Sequence, residues 1–214
     1  MIARIWHGAV PVSKGNEYLG LMRKIALPAY QATQGNRGAW CLHRAERDAT
    51  NFQMLTFWDD TEAIRRFAGD DYKMAKYYDF DCDYLIEMEP QVLHYDLYLD
   101  SSFGPTPGQS GRDGNIARVW RGAVPIEKAD GYFSYLFDFG FRDYQTYNGI
   151  CSVYLLRRTE EAQVQFLLLS FWTSRESIVA YAGANIEKAR YYPYDLECLI
   201  DPAPNVEHYE ISRA

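Results

Sequence analysis

The feature that most constrains this chain is that it contains itself twice. IARIWHGAVP at Ile2 to Pro11 returns as IARVWRGAVP at Ile116 to Pro125, an offset of 114. Carried along the chain, that offset aligns residues 2–97 with 116–211 without a gap, and 34 of the 96 positions are identical. Arg4 and Arg118, Trp6 and Trp120, Trp58 and Trp172, Asp81 and Asp195, and His94-Tyr95 and His208-Tyr209 are among them. Self-similarity of this length means two copies of one fold. Between them, Leu99 to Asn115 (LDSSFGPTPGQSGRDGN) is rich in Gly, Ser and Pro and has no apolar periodicity, which reads as a linker. The expected organisation is a first repeat at 1–98, a linker at 99–115 and a second repeat at 116–212.

Each copy reads as strand, helix, strand, strand, helix, strand. Ile2 to Val10 is rich in β-formers and stops at Val-Pro. Ser13 to Tyr30 carries Tyr18, Leu21, Met22 and Ile25 near helical spacing, and Tyr132, Tyr135, Leu136 and Phe139 repeat the pattern. Arg37 to Arg44 and Asn51 to Trp58 form a hairpin. A second helical region runs from Thr61 to Ala68, breaks at Gly69 and resumes from Met74 to Ile86, and Gln91 to Tyr98 closes the copy as a strand. This β-α-β-β-α-β order is the split βαβ, or ferredoxin-like, α+β arrangement, with helices on one face of a four-stranded antiparallel sheet. The bare sheet face predicts that the two copies pack sheet to sheet, as a pseudo-dimer within one chain.

The formal charge of -7, with no basic run, argues against nucleic acid. Four cysteines without a Cys-x-x-Cys pair argue against a disulfide scaffold or a zinc site, and no His, Cys and carboxylate cluster has metal-ligand spacing. No apolar run reaches membrane-spanning length, and the first residues lack the pattern of a signal peptide, so the expected location is cytoplasmic with no membrane partner. There is no Gly-rich phosphate loop or dinucleotide fingerprint.

The element order, the opening IARIWHGAVP, the segment FWDDTEAIRRFAG, the A-[KR]-Y-Y helix and the closing V-x-H-Y resemble the antibiotic biosynthesis monooxygenase-like family of dimeric α+β barrels, over nearly all of both copies. The resemblance implies a fused pair in place of the usual homodimer. It also implies an oxygenase acting on an electron-rich aromatic without flavin or metal, so no cofactor is expected. A cofactor-free isomerase or lyase, a haem-binding protein and a non-catalytic ligand binder of the same fold stay open, as does further homo-oligomer formation.

On the first strand, alternation puts Ile2, Arg4, Trp6 and Gly8 on one face, repeated as Ile116, Arg118, Trp120 and Gly122, and that face is assigned to the barrel interior. An arginine there needs a carboxylate, a carbonyl or an anionic ligand. His94 and His208, on the last strand of each copy, are the repeated histidines and have the pKa range of a general acid or base. Arg4, Arg118, His94 and His208 are therefore the catalytic candidates. Trp6, Trp58 and Phe52, with Trp120, Trp172 and Phe166, are the candidate walls for a small aromatic or polycyclic ligand, in a chain of 16% aromatic residues. The bland alternatives are an Arg-acid pair, a hydrogen-bonded core histidine and aromatics that only fill the core. His7 and His43 read as surface residues. Glu62 and Glu176, in Asp59-x-x-Glu62 and Thr173-x-x-Glu176, read as capping boxes. Asp81 and Asp195 read as first-turn acids that suit a helix dipole. The loop after the first helix has lost Asn36 and Arg37 in the second copy, which predicts two unequal sites.

Overall fold

A computed structural model describes residues 1–99 and 114–213; residues 100–113, most of the expected linker, lie outside them. Strand β1 (Ile2–Pro11) leads into a helical stretch in which α1 (Gly15–Leu21) and α2 (Leu27–Ala32) are joined by a π turn at Met22–Ala26. The hairpin β2 (Asn36–Ala45) and β3 (Ala49–Trp58) follows, then α3 (Thr61–Ala68), α4 (Asp81–Tyr84) and β4 (Leu93–Leu99). The second copy repeats the series as β5 (Ile116–Pro125), α5 (Ala129–Tyr135), a π turn at Leu136–Gly140, and α6 (Phe141–Tyr144). It continues with β6 (Ile150–Thr159), β7 (Gln163–Trp172), α7 (Arg175–Ala182), α8 (Pro193–Cys198) and β8 (Glu207–Ser212). The first three strands of each copy match residue for residue at the offset of 114. No helix among the described residues is long and apolar enough to cross a membrane.

The chain divides into two compact units. The first holds Met1–Tyr95 together with Tyr209–Ala214, and the second holds Asp96–His208. In the first unit β3 lies between β1 and β2, with Ile5 opposite Leu55 and Trp40 opposite Leu55. The end of β8 pairs antiparallel with β2, Ser212 opposite Cys41 and Glu210 opposite His43. In the second unit β7 lies between β5 and β6, and the end of β4 pairs with β6, Asp96 opposite Arg157. Each sheet is antiparallel and carries its helices on one face, which is the ferredoxin-like α+β plan.

Three local expectations change. The resumed helix at Met74 to Ile86 shrinks to α4, because residues 73–75 bond to residues 90–92: Met74 bridges Gln91, and Val92 N–H donates to the Lys73 carbonyl at 3.0 Å. The helix caps fall one residue later than the Glu62 and Glu176 boxes require. Asp60 accepts from the Ala63 N–H at 2.8 Å and Ser174 from the Ser177 N–H at 3.3 Å. His43 is not a surface residue: Ser212 on the paired strand meets its Nε2 at 3.2 Å, its ring lies 6.1 Å from that of Phe52, and burial lowers its pKa.

Candidate functional site

The Arg-Trp face of the first strand is turned toward the helices of its own repeat, not toward an interior between two sheets. Trp6 packs edge-on against Tyr77 at 6.3 Å, and its indole covers Gly8, where a Cβ would come within 2.3 Å of the ring. Gly122 stands in the same relation to Trp120 and also faces Leu199. Glycine at this position is therefore what lets a tryptophan lie flat on the strand.

Between sheet and helices of the second repeat lies a cavity of about 40 Å³. Its walls include Arg118 and Trp120 of β5, Tyr132, Leu136 and Gly140 of the first helical stretch, Tyr181, Arg190, Tyr192 and Asp195. The π turn contributes Leu136 and Gly140, so the helical irregularity sits at the cavity, a placement common for π turns. The space corresponds to roughly three waters, which is less than a polycyclic ligand needs.

Two polar networks meet there. Tyr132 donates to Asp195 Oδ1 at 2.8 Å, while Asp195 Oδ2 accepts from the Tyr192 backbone N–H at 2.7 Å. Burial raises the Asp195 carboxyl above its ordinary value, and these two donors partly offset the rise. Arg190 Nη1 pairs with Asp143 Oδ2 at 3.0 Å, and Tyr192 donates to the same oxygen at 2.5 Å. Tyr181 donates to Tyr144 at 3.1 Å across stacked rings. Arg118 is 2% exposed, lies over the Tyr181 ring at 5.4 Å and donates from Nη2 to the Lys188 carbonyl at 3.1 Å; its Nε–H is buried and has no partner among the described residues.

The first repeat carries the same frame with different walls. Tyr18 donates to Asp81 at 2.8 Å, and Arg4, 1% exposed, donates from Nη2 to the Met74 carbonyl at 2.9 Å. At the offset of 114, however, Ala26 stands for Gly140, Leu21 for Tyr135, Phe67 for Tyr181, Lys76 for Arg190 and Ala29 for Asp143. The two sites are thus unequal through their walls as well as through the loop. Arg37, expected on that loop, lies at the start of β2, is exposed and pairs with Asp59 at 2.6 Å.

Comparison with solved structures places this frame. A candidate monooxygenase of Fusobacterium nucleatum subsp. nucleatum matches with a TM-score of 0.68 at 14% identity, over 99% of this chain and 91% of that one. One of Lactobacillus acidophilus matches at 0.64 and 10% identity, over 99% and 92%. An anthrone oxidase-like protein matches at 0.57 and 15% identity, over 99% and 92%. The chain has the monooxygenase-like α+β barrel fold. No protein-family model and no curated protein matches the sequence.

Within this monooxygenase-like fold, the sequence candidates separate. Arg118 and Trp120 line the cavity. Trp172 and Phe166 are fully buried core residues outside its lining: the Trp172 indole N–H donates to Ser170 at 2.9 Å, and Phe166 packs edge-on against Tyr132 at 5.5 Å. Trp58 and Phe52 do the same in the first repeat, with Thr56 and Tyr18. His208, 2% exposed, meets Glu187 through Nδ1 at 3.2 Å and is not among the lining residues. His94 packs edge-on against Tyr72 at 5.3 Å; burial and the charges of Arg4 and Lys73 hold its pKa down to about 4. Neither histidine makes a direct bond to the arginine of its repeat among the described contacts. In the sequence the two halves of each Tyr-Asp pair read separately, the tyrosine as a helix position and the aspartate as a first-turn acid. The signal that finds them is that tyrosine and aspartate both survive in both copies at the same separation of 63.

Proposed function

We propose that the second repeat is the working site, a cofactor-independent oxygenase centre for a small, single-ring, electron-rich aromatic. The observation that carries this is that Arg118 and the Tyr132–Asp195 pair line one small cavity, so a buried cation and a buried carboxylate of raised pKa share its wall. Asp195 is placed to take the hydroxyl proton of a phenol, and Arg118 to stabilise the anion that results. Dioxygen is the oxidant. The ring loses its hydroxyl proton and one ring hydrogen and gains one oxygen atom to become a quinone, and the second oxygen leaves as water. The names of the anthrone oxidase-like and monooxygenase structures support the reaction class. A haem-binding reading lacks comparable support, since neither repeated histidine lines the cavity and the space is far below that of a macrocycle.

The test is oxygen uptake with a panel of single-ring phenols, comparing the parent with Asp195→Asn. Phenol-dependent uptake that falls by roughly 10² in the variant supports the proton-transfer role. Substrate turnover that proceeds equally without oxygen selects the isomerase or lyase reading instead.

A further inference from the structure

We infer that the ligand of the second repeat carries a carboxylate, held by the side edge of Arg118; the inference rests on the reading above that this cavity is the ligand site. A guanidinium presents two parallel N–H groups, one from Nε and one from Nη2, along the edge that carboxylates bind with both oxygens. In Arg118 that edge is open at Nε. Nη2 spends one of its two hydrogens on the Lys188 carbonyl, and the Nε–H is buried without a partner among the described residues.

The charge is uncompensated as well. Arg118 is 2% exposed, and among the described residues it pairs with no carboxylate. The two acids nearby are committed elsewhere: Asp195 to Tyr132 and the Tyr192 N–H, Asp143 to Arg190 and Tyr192. A buried cation with only a carbonyl and a ring face for company is costly, and an anion that completes the edge removes that cost.

The repeat supplies an independent observation. Arg4 has the same arrangement, Nη2 on the Met74 carbonyl and Nε buried without a partner among the described residues, although six of the twelve lining positions of the second cavity hold another residue in the first repeat. The first repeat thus keeps the open Nε of its arginine while its walls have changed. Aromatic walls at Trp120, Tyr132 and Tyr181 then suit the ring that bears the carboxylate.

The experiment uses the full chain and two probes of nearly equal shape, benzoate and benzamide, read by thermal shift and by calorimetric titration. Benzoate is expected to bind at least tenfold more tightly than benzamide, and Arg118→Met is expected to abolish the difference. Equal binding of the two probes overturns the inference, and so does a preference for benzoate that survives in Arg118→Met. If that variant does not fold, the Arg118 Nε–H resonance of the parent decides: slowed hydrogen exchange on adding benzoate but not benzamide upholds the contact, and no change overturns it. Benzoate binding in a protein that consumes no oxygen with any phenol removes the oxygenase reading alone. Phenol-dependent uptake without a benzoate preference removes the carboxylate alone.

Discussion

Replacing Tyr132 with Phe removes one oxygen from the interior and nothing else, so its effect can be worked out in advance. The lost bond is the 2.8 Å donation to Asp195 Oδ1, with Tyr132 fully buried and Asp195 5% exposed. A hydrogen bond to a charged acceptor is worth about 1.5–3 kcal/mol, and no cavity forms because the ring is kept. At about 2–4 °C per kcal/mol for a chain of this size, the expected fall in Tm is about 3–12 °C. The Asp195 carboxyl should also titrate higher, because the Tyr132 hydrogen bond is one of the two that hold it down. Tyr18→Phe is the internal control, since it breaks the equivalent 2.8 Å bond to Asp81 in the first repeat. Urea unfolding followed by tryptophan fluorescence should show similar losses for the two variants, while oxygen uptake per folded molecule drops only in Tyr132→Phe. A stability change below about 0.5 kcal/mol in both would refute the energetic reasoning, and equal uptake in both would refute the assignment of the site to the second repeat.

Three other outcomes follow from the same contacts. Because the His94 ring resists protonation down to about 4 while an unfolded histidine titrates near 6.5, its contribution to stability is complete above pH 6.5 and is lost as the pH falls toward 4; the interval caps the loss near ~3 kcal/mol, and partial solvent access brings the expectation to about 1–2 kcal/mol. Asp81 and Asp195, raised by burial, act in the opposite sense, adding stability below about 3.8 that is lost as the pH rises through their folded values, so the comparison of parent with His94→Gln across pH 4 to 7 isolates the histidine. Gly183→Ala should cost about 1–3 kcal/mol from backbone strain alone, since φ is 84° and ψ is -176° with open space around the position, whereas Gly149→Ala, at φ 85°, should cost more because its Cβ would meet Ser177 Oγ at 2.3 Å; equal chemical-denaturation midpoints would contradict the distinction. Tyr181→Phe, which installs the residue the first repeat uses, removes only the bond to the Tyr144 hydroxyl and should cost about 0.5–1.5 kcal/mol by thermal melting.

The repeat and the periodicities were enough to read the fold, because a gapless offset shifts every strand boundary together: β1, β2 and β3 reappear at β5, β6 and β7 without an error of one residue. What the sequence hid was which face of β1 meets the helices. Both faces of Ile2–Pro11 carry buried residues, so alternation identifies two sets without telling them apart. The same blindness affected the site. Trp58 and Trp172 are repeated and aromatic, like any wall residue, but each spends its indole N–H on the strand residue two before it, a contact that only the register discloses. Asp143 stands where the first copy has Ala29, so a search for repeated residues passes over the acid that ties down Arg190 and makes the second cavity different.

The composition of the two compact units imposes an order of assembly. The first unit takes its outermost strand from Tyr209–Ala214, so β2, already paired with β3, gains its second neighbour at Cys41, Leu42 and His43 only after the second copy has been made. Until then β2 is an open edge carrying unpaired N–H and C=O groups, and such an edge accepts whatever strand reaches it first. The His43 ring belongs to the same interval, because Ser212 on the late strand supplies its 3.2 Å contact. A chain halted before Tyr209 would keep β1, β3 and β2 paired but leave the outer edge of β2 open.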